Sequence, residues 1–230
     1  MINKIVESVA LALKDIQDGA TVLISGFGSA GFPDELVEGL IIQGATNLTV
    51  VSNNAGNSDH GLGALLKTGR VRKIICSYPR QANSHVFNDL YRREKIELEL
   101  VPQGTLAERL RAAGAGIGGF FCPTGYGTEL AKGKETRLID GRWYVYESPL
   151  HGDVALIKAE AGDRWGNLSY RMAARNFAPV MASAAKQTIA TVFEVKELGE
   201  MDPESIITPG IYIDKIVPIA RVETKADPVS

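Results

Sequence analysis

The sequence has 230 residues, of which 45% are hydrophobic and 23% are charged, with a formal net charge of -2. This composition is typical of a globular protein and excludes a disordered chain or a fibrous repeat. A chain of this length buries roughly 70% of its surface on folding, so its core needs no disulfide or structural metal. We therefore expect one domain over residues 1–222, followed by a flexible tail at 223–230.

Several classes of partner and location are disfavoured by the same composition. The 25 Lys and Arg residues are balanced by 27 Asp and Glu residues, whereas nucleic-acid binding requires a clustered basic surface. No apolar window approaches the roughly 18 residues that span a bilayer, and Lys4 and Glu7 interrupt the N-terminal stretch, unlike a signal peptide. Cys76 and Cys122 form no Cys-x-x-Cys motif. We expect a cytoplasmic protein with neither a nucleic-acid nor a membrane partner.

The N-terminal third predicts a helix, a strand and a second helix. Apolar residues recur at helical spacing over 3–16, and an apolar, β-branched run at 21–24 is typical of a strand buried on both faces. A glycine-rich turn follows, and Pro33 with the two acidic residues after it predicts the start of a helix.

Further strands follow at 48–51, 73–76 and 96–100, and the period-two alternation of the last predicts an edge position. Thr105 and Glu108 have the spacing of a capping box, which predicts a helix start there. The later predictions are a hairpin at Asp140-Gly141 and strands at 153–158, 188–193 and 211–217. Alternating strands and helices predict an open, mostly parallel α/β sheet flanked by helices, with an antiparallel hairpin excursion.

Residues 26–31 read Gly-Phe-Gly-Ser-Ala-Gly, a G-x-G-x-x-G pattern between a strand and a helix, so that Gly26, Phe27, Gly28 and Gly31 are candidate ligand contacts. Such a turn can receive an anion at a helix N-terminus. A dinucleotide site would also need an acidic residue at the end of the next strand, and none occurs before Asp59. Glycines that only permit a tight turn are the structural alternative.

Neutral amides follow two of the predicted strands. Asn53 and Asn54 come after the second strand, and Gln103 comes after the fourth. Because the carboxyl ends of parallel strands meet at one sheet edge, where ligands bind, these amides can converge there. A side-chain amide N–H donates to a developing oxyanion without titrating. The alternatives are an Asx-turn at the asparagines and a plain loop position for Gln103.

Arg80 follows the third strand, where a guanidinium could bind a substrate carboxylate, although an exposed Arg can equally serve solubility. The three histidines, His60, His85 and His151, show no metal-ligand spacing, so we expect no metal site.

Four blocks together carry a family resemblance. Residues 18–33, 51–56, 102–109 and 123–128 resemble, in order, the signature blocks of the A (α) subunit of family I CoA-transferases, the 3-oxoacid CoA-transferases. The family form has Gly where this chain has Ser25, which affects only backbone freedom at that position. The resemblance covers nearly the whole chain.

The resemblance implies ping-pong catalysis through a glutamyl-CoA thioester. The nucleophilic glutamate of the family lies on the B (β) subunit in a Ser-Glu-Asn-Gly context, which is absent from this sequence. The resemblance therefore implies a chain that is active only with its partner, the B subunit, in an A2B2 heterotetramer. No permanently bound cofactor is implied, because the CoA thioester is a substrate.

The resemblance assigns Asn53 to the oxyanion hole and Gln103 to the acid substrate or the catalytic glutamate, with Asn54 beside them. The chain is most similar to the 3-oxoadipate form, which implies succinyl-CoA as donor and 3-oxoadipate as acceptor, with Arg80 binding the distal carboxylate. Acetoacetate is the alternative acceptor. A nicotinamide-dependent oxidoreductase and a non-catalytic ligand-sensing domain are the alternatives from other classes.

Overall fold

The computed structural model describes residues 2–80 and 83–221. Residues 81 and 82 and the predicted tail at 223–230 lie outside the described residues. The helices are α1 (Val9–Leu13), α2 (Asp34–Gln43), α3 (Gly61–Lys67), α4 (His85–Arg92), α5 (Gln103–Gly114) and α6 (Ala178–Ala184). The strands are β1 (Thr21–Ile24), β2 (Leu48–Val51), β3 (Val71–Cys76), β4 (Glu97–Leu100), β5 (Phe120–Cys122), β6 (Thr136–Ile139), β7 (Arg142–Glu147), β8 (Gly152–Asp163), β9 (Leu168–Ser169), β10 (Ala185–Lys196) and β11 (Lys215–Pro218).

Two sheets are formed by the described residues. The main sheet has eight strands in the order β11-β10-β8-β1-β2-β3-β4, with β9 pairing to β8. Its ladders are parallel except for the short β8–β9 pair. The smaller sheet, β5-β7-β6, is antiparallel. The predicted class, a mostly parallel sheet with an antiparallel excursion, is confirmed, and β4 is an edge strand as expected.

Helices cover both faces of the main sheet. Val22 and Ile24 of β1 pack into one apolar cluster with residues of α1, α2, α3 and α4. Leu23, which points to the opposite face, packs into a second cluster with residues of α5 and α6. Burial on both faces explains why the central strands β1 and β2 are each apolar at three of their four positions. Among the described residues, no helix is long and apolar enough to cross a bilayer.

The predicted helix over 3–16 is wrong at its start. Helix α1 begins only at Val9, capped by the Ser8 hydroxyl. The preceding residues extend the sheet instead, because Val6 N donates to Ile216 O (2.8 Å) and Ile216 N donates to Lys4 O (2.7 Å). Pairing with the sheet edge at β11 therefore outweighs the local helical spacing.

Two further boundaries differ from the prediction. Helix α5 begins at Gln103 with no side-chain cap, so Thr105 is not its cap and is buried inside the helix. A short 3-10 turn, Gly210–Tyr212, occupies the start of the strand predicted at 211–217. The hairpin prediction is confirmed: Asp140 and Gly141 both have positive φ, +47° and +76°, as a two-residue type I′ turn requires.

An ion cluster fixes the edge of the sheet next to the β4–α5 turn. Glu99 on β4 accepts hydrogen bonds from Lys73 on β3 (2.5 Å) and from Arg109 on α5 (2.8 Å). Arg109 is buried and also donates to Ser148 O (2.8 Å). Burial alone would raise the pKa of the Glu99 carboxyl, but hydrogen bonds from Arg109 and Lys73 outweigh it and hold the pKa below its usual value.

We predict that Glu99→Gln lowers the free energy of unfolding at pH 7 by about 2 kcal/mol, because it leaves the buried Arg109 without its charged partner. A carboxyl whose pKa is lower in the folded protein stabilises the fold fully at pH values above its pKa in the unfolded chain, about 4.3. This stabilisation is lost as the pH falls through the pKa of the folded protein. The difference between the two proteins should therefore shrink below about pH 4. Urea unfolding at several pH values measures it.

Glu97→Gln on the same strand is the matched control. Glu97 pairs with Arg72 in an exposed ion pair, and exposed pairs contribute about 0 to 1 kcal/mol. Equal destabilisation by the two variants would contradict the structural role of Glu99.

Candidate active site

A cavity lies at the carboxyl edge of the main sheet, where the segments that follow β1, β2, β3 and β4 meet. Its volume is ≈ 480 Å³. Its lining residues come from all four segments and are Phe27, Gly28, Asn53, Ser77, Tyr78 and Gln103. This edge is where open α/β sheets bind ligands.

Asn53 and Gln103 are brought together as the sequence predicted for residues at one sheet edge. Gln103 Nε2 donates to Asn53 Oδ1 over 2.8 Å, and Ser77 Oγ donates to the same oxygen over 2.7 Å. Asn53 is buried, whereas Gln103 is exposed. Within residues 2–80 and 83–221, Asn53 Nδ2 has no hydrogen-bond partner, so it is left to donate to a ligand in the cavity.

Asn54 is placed differently from its neighbour. Its Oδ1 accepts the Gly56 N–H over 2.8 Å, which is the Asx-turn that the sequence left as an alternative. Asn54 lines a second cavity of ≈ 300 Å³, which also contacts Gly28 and Asp34. Its substrate-binding role stays a prediction.

The glycine-rich turn separates the two cavities, since Gly28 lines both. Residues 27 and 30 exchange two backbone hydrogen bonds, and the Phe27 side chain is 52% exposed. Asn176 clamps the turn from outside: its Oδ1 accepts the Gly26 N–H (2.9 Å) and its Nδ2 donates to Ala30 O (3.0 Å). The turn thus has a fixed backbone and an exposed aromatic tip.

Inside the turn, the buried Ser25 hydroxyl donates to Gly31 O over 2.9 Å. The departure from the family glycine at this position therefore adds a hydrogen bond that closes the turn. Gly31 has φ +63°, and a Cβ on it would lie 2.1 Å from Ala174 O. Glycine is required there by both the backbone conformation and the close approach of another segment.

Arg80 is exposed and does not line the cavity, although Tyr78, two residues earlier, does. Among the described residues no carboxylate pairs with Arg80. With respect to these residues, the guanidinium is free to bind an anion, and its role as a substrate contact stays a prediction.

Burial raises the pKa of two ionisable groups near this edge. Burial raises the pKa of the Cys76 thiol, at the end of β3, to about 12, so this thiol stays protonated at neutral pH. Burial also raises the pKa of Asp34 in the second cavity, against the opposing effect of the Lys158 ammonium. The described residues contain no group of three His, Cys, Asp or Glu side chains that could hold a metal ion.

Three residues of this site were missed by sequence reasoning. Ser77 and Tyr78 directly follow β3, so the strand-end rule that selected Asn53 and Gln103 also applies to them. Asn176 is about 150 residues from the turn it clamps, and no local signal in the sequence indicates that contact.

Comparison with known proteins finds relatives over nearly the whole chain. The family model described as Coenzyme A transferase matches residues 6–218. The chain is 64% identical over 220 residues to the A subunit of the 3-oxoadipate CoA-transferase of Pseudomonas putida, covering 96% of this chain and 95% of that protein. It is 47% identical over 225 residues to the A subunit of a probable succinyl-CoA:3-ketoacid coenzyme A transferase of Bacillus subtilis (strain 168), covering 98% and 94%.

Among solved structures, the fold is similar to that of an acyl-CoA transferase from Escherichia coli O157:H7 in a thioester complex with CoA. The TM-score is 0.80 at 24% sequence identity, over 95% of this chain and 47% of that chain. At this identity the similarity concerns the fold alone. The chain spans about half the length of the E. coli chain.

We predict that Gly31→Ala destabilises the protein by about 2 kcal/mol more than Gly28→Ala, because overpacking costs about 1 to 3 kcal/mol. The two glycines have nearly equal φ, +63° and +61°, so the backbone cost of alanine is shared, and a Cβ on Gly28 meets nothing within 4 Å. Thermal unfolding of the two variants side by side measures the difference. Equal melting temperatures would show that the contact between Gly31 and Ala174 does not constrain the turn.

Proposed function

The chain belongs to the coenzyme A transferase family, and we propose that it is the A subunit of a two-subunit enzyme that moves CoA from succinyl-CoA to 3-oxoadipate. Relatives named as A subunits of CoA-transferases match this chain over nearly its full length. A nicotinamide-dependent oxidoreductase and a ligand-sensing domain are not favoured by these relatives.

One observation carries the proposal: two neutral amides, Asn53 and Gln103, converge in a cavity whose described lining includes no carboxylate. A CoA transfer through an acyl-enzyme needs a nucleophile. The Cys76 thiol is unsuitable because burial raises its pKa to about 12. The reactive carboxylate therefore comes from the B subunit, which also completes the cavity.

The reaction proceeds as two half-reactions, each consisting of two acyl transfers. The succinyl-CoA carbonyl is attacked by a glutamate carboxylate of the B subunit. This attack breaks the C–S bond and gives a mixed anhydride and CoA thiolate. The thiolate then attacks the glutamyl carbonyl of the anhydride, which releases succinate and leaves a glutamyl-CoA thioester. The same two steps run with the carboxylate of 3-oxoadipate to give 3-oxoadipyl-CoA and regenerate the glutamate. No redox partner is needed, because every step exchanges one acyl bond for another.

Each attack forms a tetrahedral adduct with a negative oxygen. Asn53 Nδ2 is the donor for that oxygen, because its own carbonyl is occupied by Ser77 and Gln103. A donor fixed before the reaction stabilises the oxyanion without reorganisation. Gln103 retains a second N–H and its Oε1, with which it contacts the acid substrate or the glutamate.

CoA is a substrate in this proposal, and no permanently bound cofactor takes part. The glycine-rich turn with Phe27 at its tip, flanked by Gly26, Gly28 and Gly31, forms a wall against which the thioester or acyl chain lies. Phe27 is half exposed in the chain alone, and we propose that CoA or the B subunit covers it in an A2B2 assembly in the cytoplasm.

The acceptor assignment follows the relative with 64% identity, whose name specifies 3-oxoadipate. That acid carries a second carboxylate, which acetoacetate lacks. Arg80 lies two residues after Tyr78 and is exposed and unpaired among the described residues. It is the cation we propose for that carboxylate, with Asn54 in the neighbouring cavity as a further polar contact.

We predict that Asn53→Ala lowers kcat of the assembled enzyme by about 10² to 10³, because removal of one preorganised oxyanion donor typically has this effect. The chain is co-expressed with the B subunit, and CoA transfer from succinyl-CoA to 3-oxoadipate is followed. Gel filtration checks that the variant still assembles, and the separate subunits serve as blanks. Wild-type turnover by an assembled Asn53→Ala enzyme, or transfer by this chain alone, would contradict the proposed function.

For Arg80→Ala we expect kcat/KM to fall about tenfold or more for 3-oxoadipate, since a charged hydrogen bond contributes about 1.5 to 3 kcal/mol. The value for acetoacetate should change by less than about twofold, because that acid has no distal carboxylate to lose. Steady-state kinetics measure the ratio of the variant to the wild-type kcat/KM for each of the two acceptor acids. Arg72→Ala, which removes an arginine paired with Glu97 on the sheet edge, is the control. Equal losses for both acids would remove Arg80 from substrate selection.

A further inference from the structure

The orientation of the Asn53 carboxamide decides what the cavity offers to a ligand. The oxygen and nitrogen of this group are nearly equal in size but opposite in role, since only Nδ2 can donate to an oxyanion. A half-turn about the terminal torsion would place the carbonyl oxygen there instead and oppose the developing charge. Something in the structure must therefore distinguish the two orientations.

The segment after β3 supplies this distinction. Asn53 O already accepts two backbone N–H groups, from Ser77 (3.1 Å) and from Tyr78 (3.1 Å). The Ser77 Oγ lies 3.0 Å from that same oxygen and 2.7 Å from Asn53 Oδ1. A hydroxyl has one proton, and a carbonyl oxygen has two lone pairs, both of which are occupied here. The Ser77 proton is therefore directed to Asn53 Oδ1.

The second partner of Asn53 Oδ1 cannot make this choice. Gln103 Nε2 lies 2.8 Å from Oδ1, but a glutamine amide can rotate to donate or to accept. The Gln103 side chain is also exposed, at the first residue of α5. It can therefore follow either orientation of Asn53. Once the Ser77 proton has fixed Oδ1 as an acceptor, Gln103 presents Nε2 to it.

We propose that Ser77 is a positioning residue that orients both amides of the site, so that Asn53 Nδ2 faces the reacting carbonyl. Its hydroxyl acts through Asn53, because its proton is donated to Asn53 Oδ1 and is not transferred to the substrate. The catalytic consequence rests on the proposed function, whereas the orienting effect is a property of this chain. The Ser77 hydroxyl thus sets the orientation of the Asn53 amide, and the Asn53 amide sets the orientation of the Gln103 amide.

The first test is Ser77→Ala in the enzyme assembled with the B subunit. We expect kcat to fall about tenfold, a loss equivalent to about 1.4 kcal/mol, with KM for the acceptor changed by less than about twofold, because the effect is on transition-state stabilisation. Ser77→Thr keeps the hydroxyl and should recover most of kcat. Ser183→Ala is the matched control: Ser183 is also half-buried, but its hydroxyl donates only to Val180 O in α6.

Ser77→Cys is measured alongside, because it nearly preserves side-chain size and replaces a strong donor with a weak one. If Ser77→Ala does not assemble, the loss of kcat is read from Ser77→Cys. Wild-type kcat in an assembled Ser77→Ala or Ser77→Cys enzyme overturns the proposal. So does failure of Ser77→Thr to exceed Ser77→Ala in kcat.

The second test is a double-mutant cycle. Because Ser77 acts through Asn53, the Ser77 substitution should cause no further loss in an Asn53→Ala enzyme. If the two losses multiply instead, Ser77 acts independently and the proposal is overturned.

A third measurement separates this proposal from the proposed function. Asparagine-selective ¹⁵N labelling of this chain in the assembled enzyme resolves side-chain N–H₂ signals, and Asn53→Ala identifies the one from Asn53. Ser77→Ala should shift or broaden that signal, and Ser183→Ala should leave it unchanged. An unaltered signal overturns the orienting role even where the enzyme is active. An altered signal with wild-type turnover in Asn53→Ala supports the orienting role and rejects the oxyanion function.

Discussion

The hydrogen bond from Gln103 to Asn53 depends on a single constraint, the adjacency of three parallel strands. The two residues are 50 positions apart in the chain, and β2, β3 and β4 bring them to one edge because each strand points the same way. Ser77 lies directly after the strand between them. In a sheet with a different strand order, these residues would not lie next to one another.

This constraint explains why an ion cluster is built into the exposed edge. In the part of the chain that the structure describes, strand β4 has a neighbour on one side only, so the turn that carries Gln103 lacks the support that inner strands have. Glu99, just before the turn, is held by Lys73 from β3 and by Arg109 from α5. Buried charges are tolerated only when paired. The cluster thus ties together the strand before Gln103, the helix after it and the neighbouring strand that ends just before Ser77.

Local sequence patterns predicted the structure correctly where interactions between residues close in the chain determine it. The Asp140-Gly141 hairpin is specified by its own turn residues, and the rule that selected Asn53 and Gln103 required only parallel, neighbouring strands. Patterns failed where a distant segment decides the outcome. The chain around Ile5 is extended because of Ile216, some two hundred residues later, and helical spacing has no bearing on this contact. The meeting of Asn53 and Gln103 at one sheet edge was therefore predictable from the sequence, whereas the hydrogen bond from Ser77 to Asn53 was not.

Under the proposed function, the neutral character of the donors has a physical reason, because both acids and the attacking group are carboxylates. A lysine or arginine in place of Asn53 would bind the succinate, 3-oxoadipate and glutamate carboxylates tightly in the ground state, and such uniform binding does not raise kcat. An amide binds a full carboxylate less strongly, while its fixed N–H still meets the charge that appears on the carbonyl oxygen during attack. If Arg80 binds the distal carboxylate as we propose, its place outside the described cavity lining separates selection of that group from stabilisation of the adduct. In the proposed enzyme, this chain therefore holds the oxyanion donor in a fixed orientation, and the partner subunit supplies the nucleophilic carboxylate.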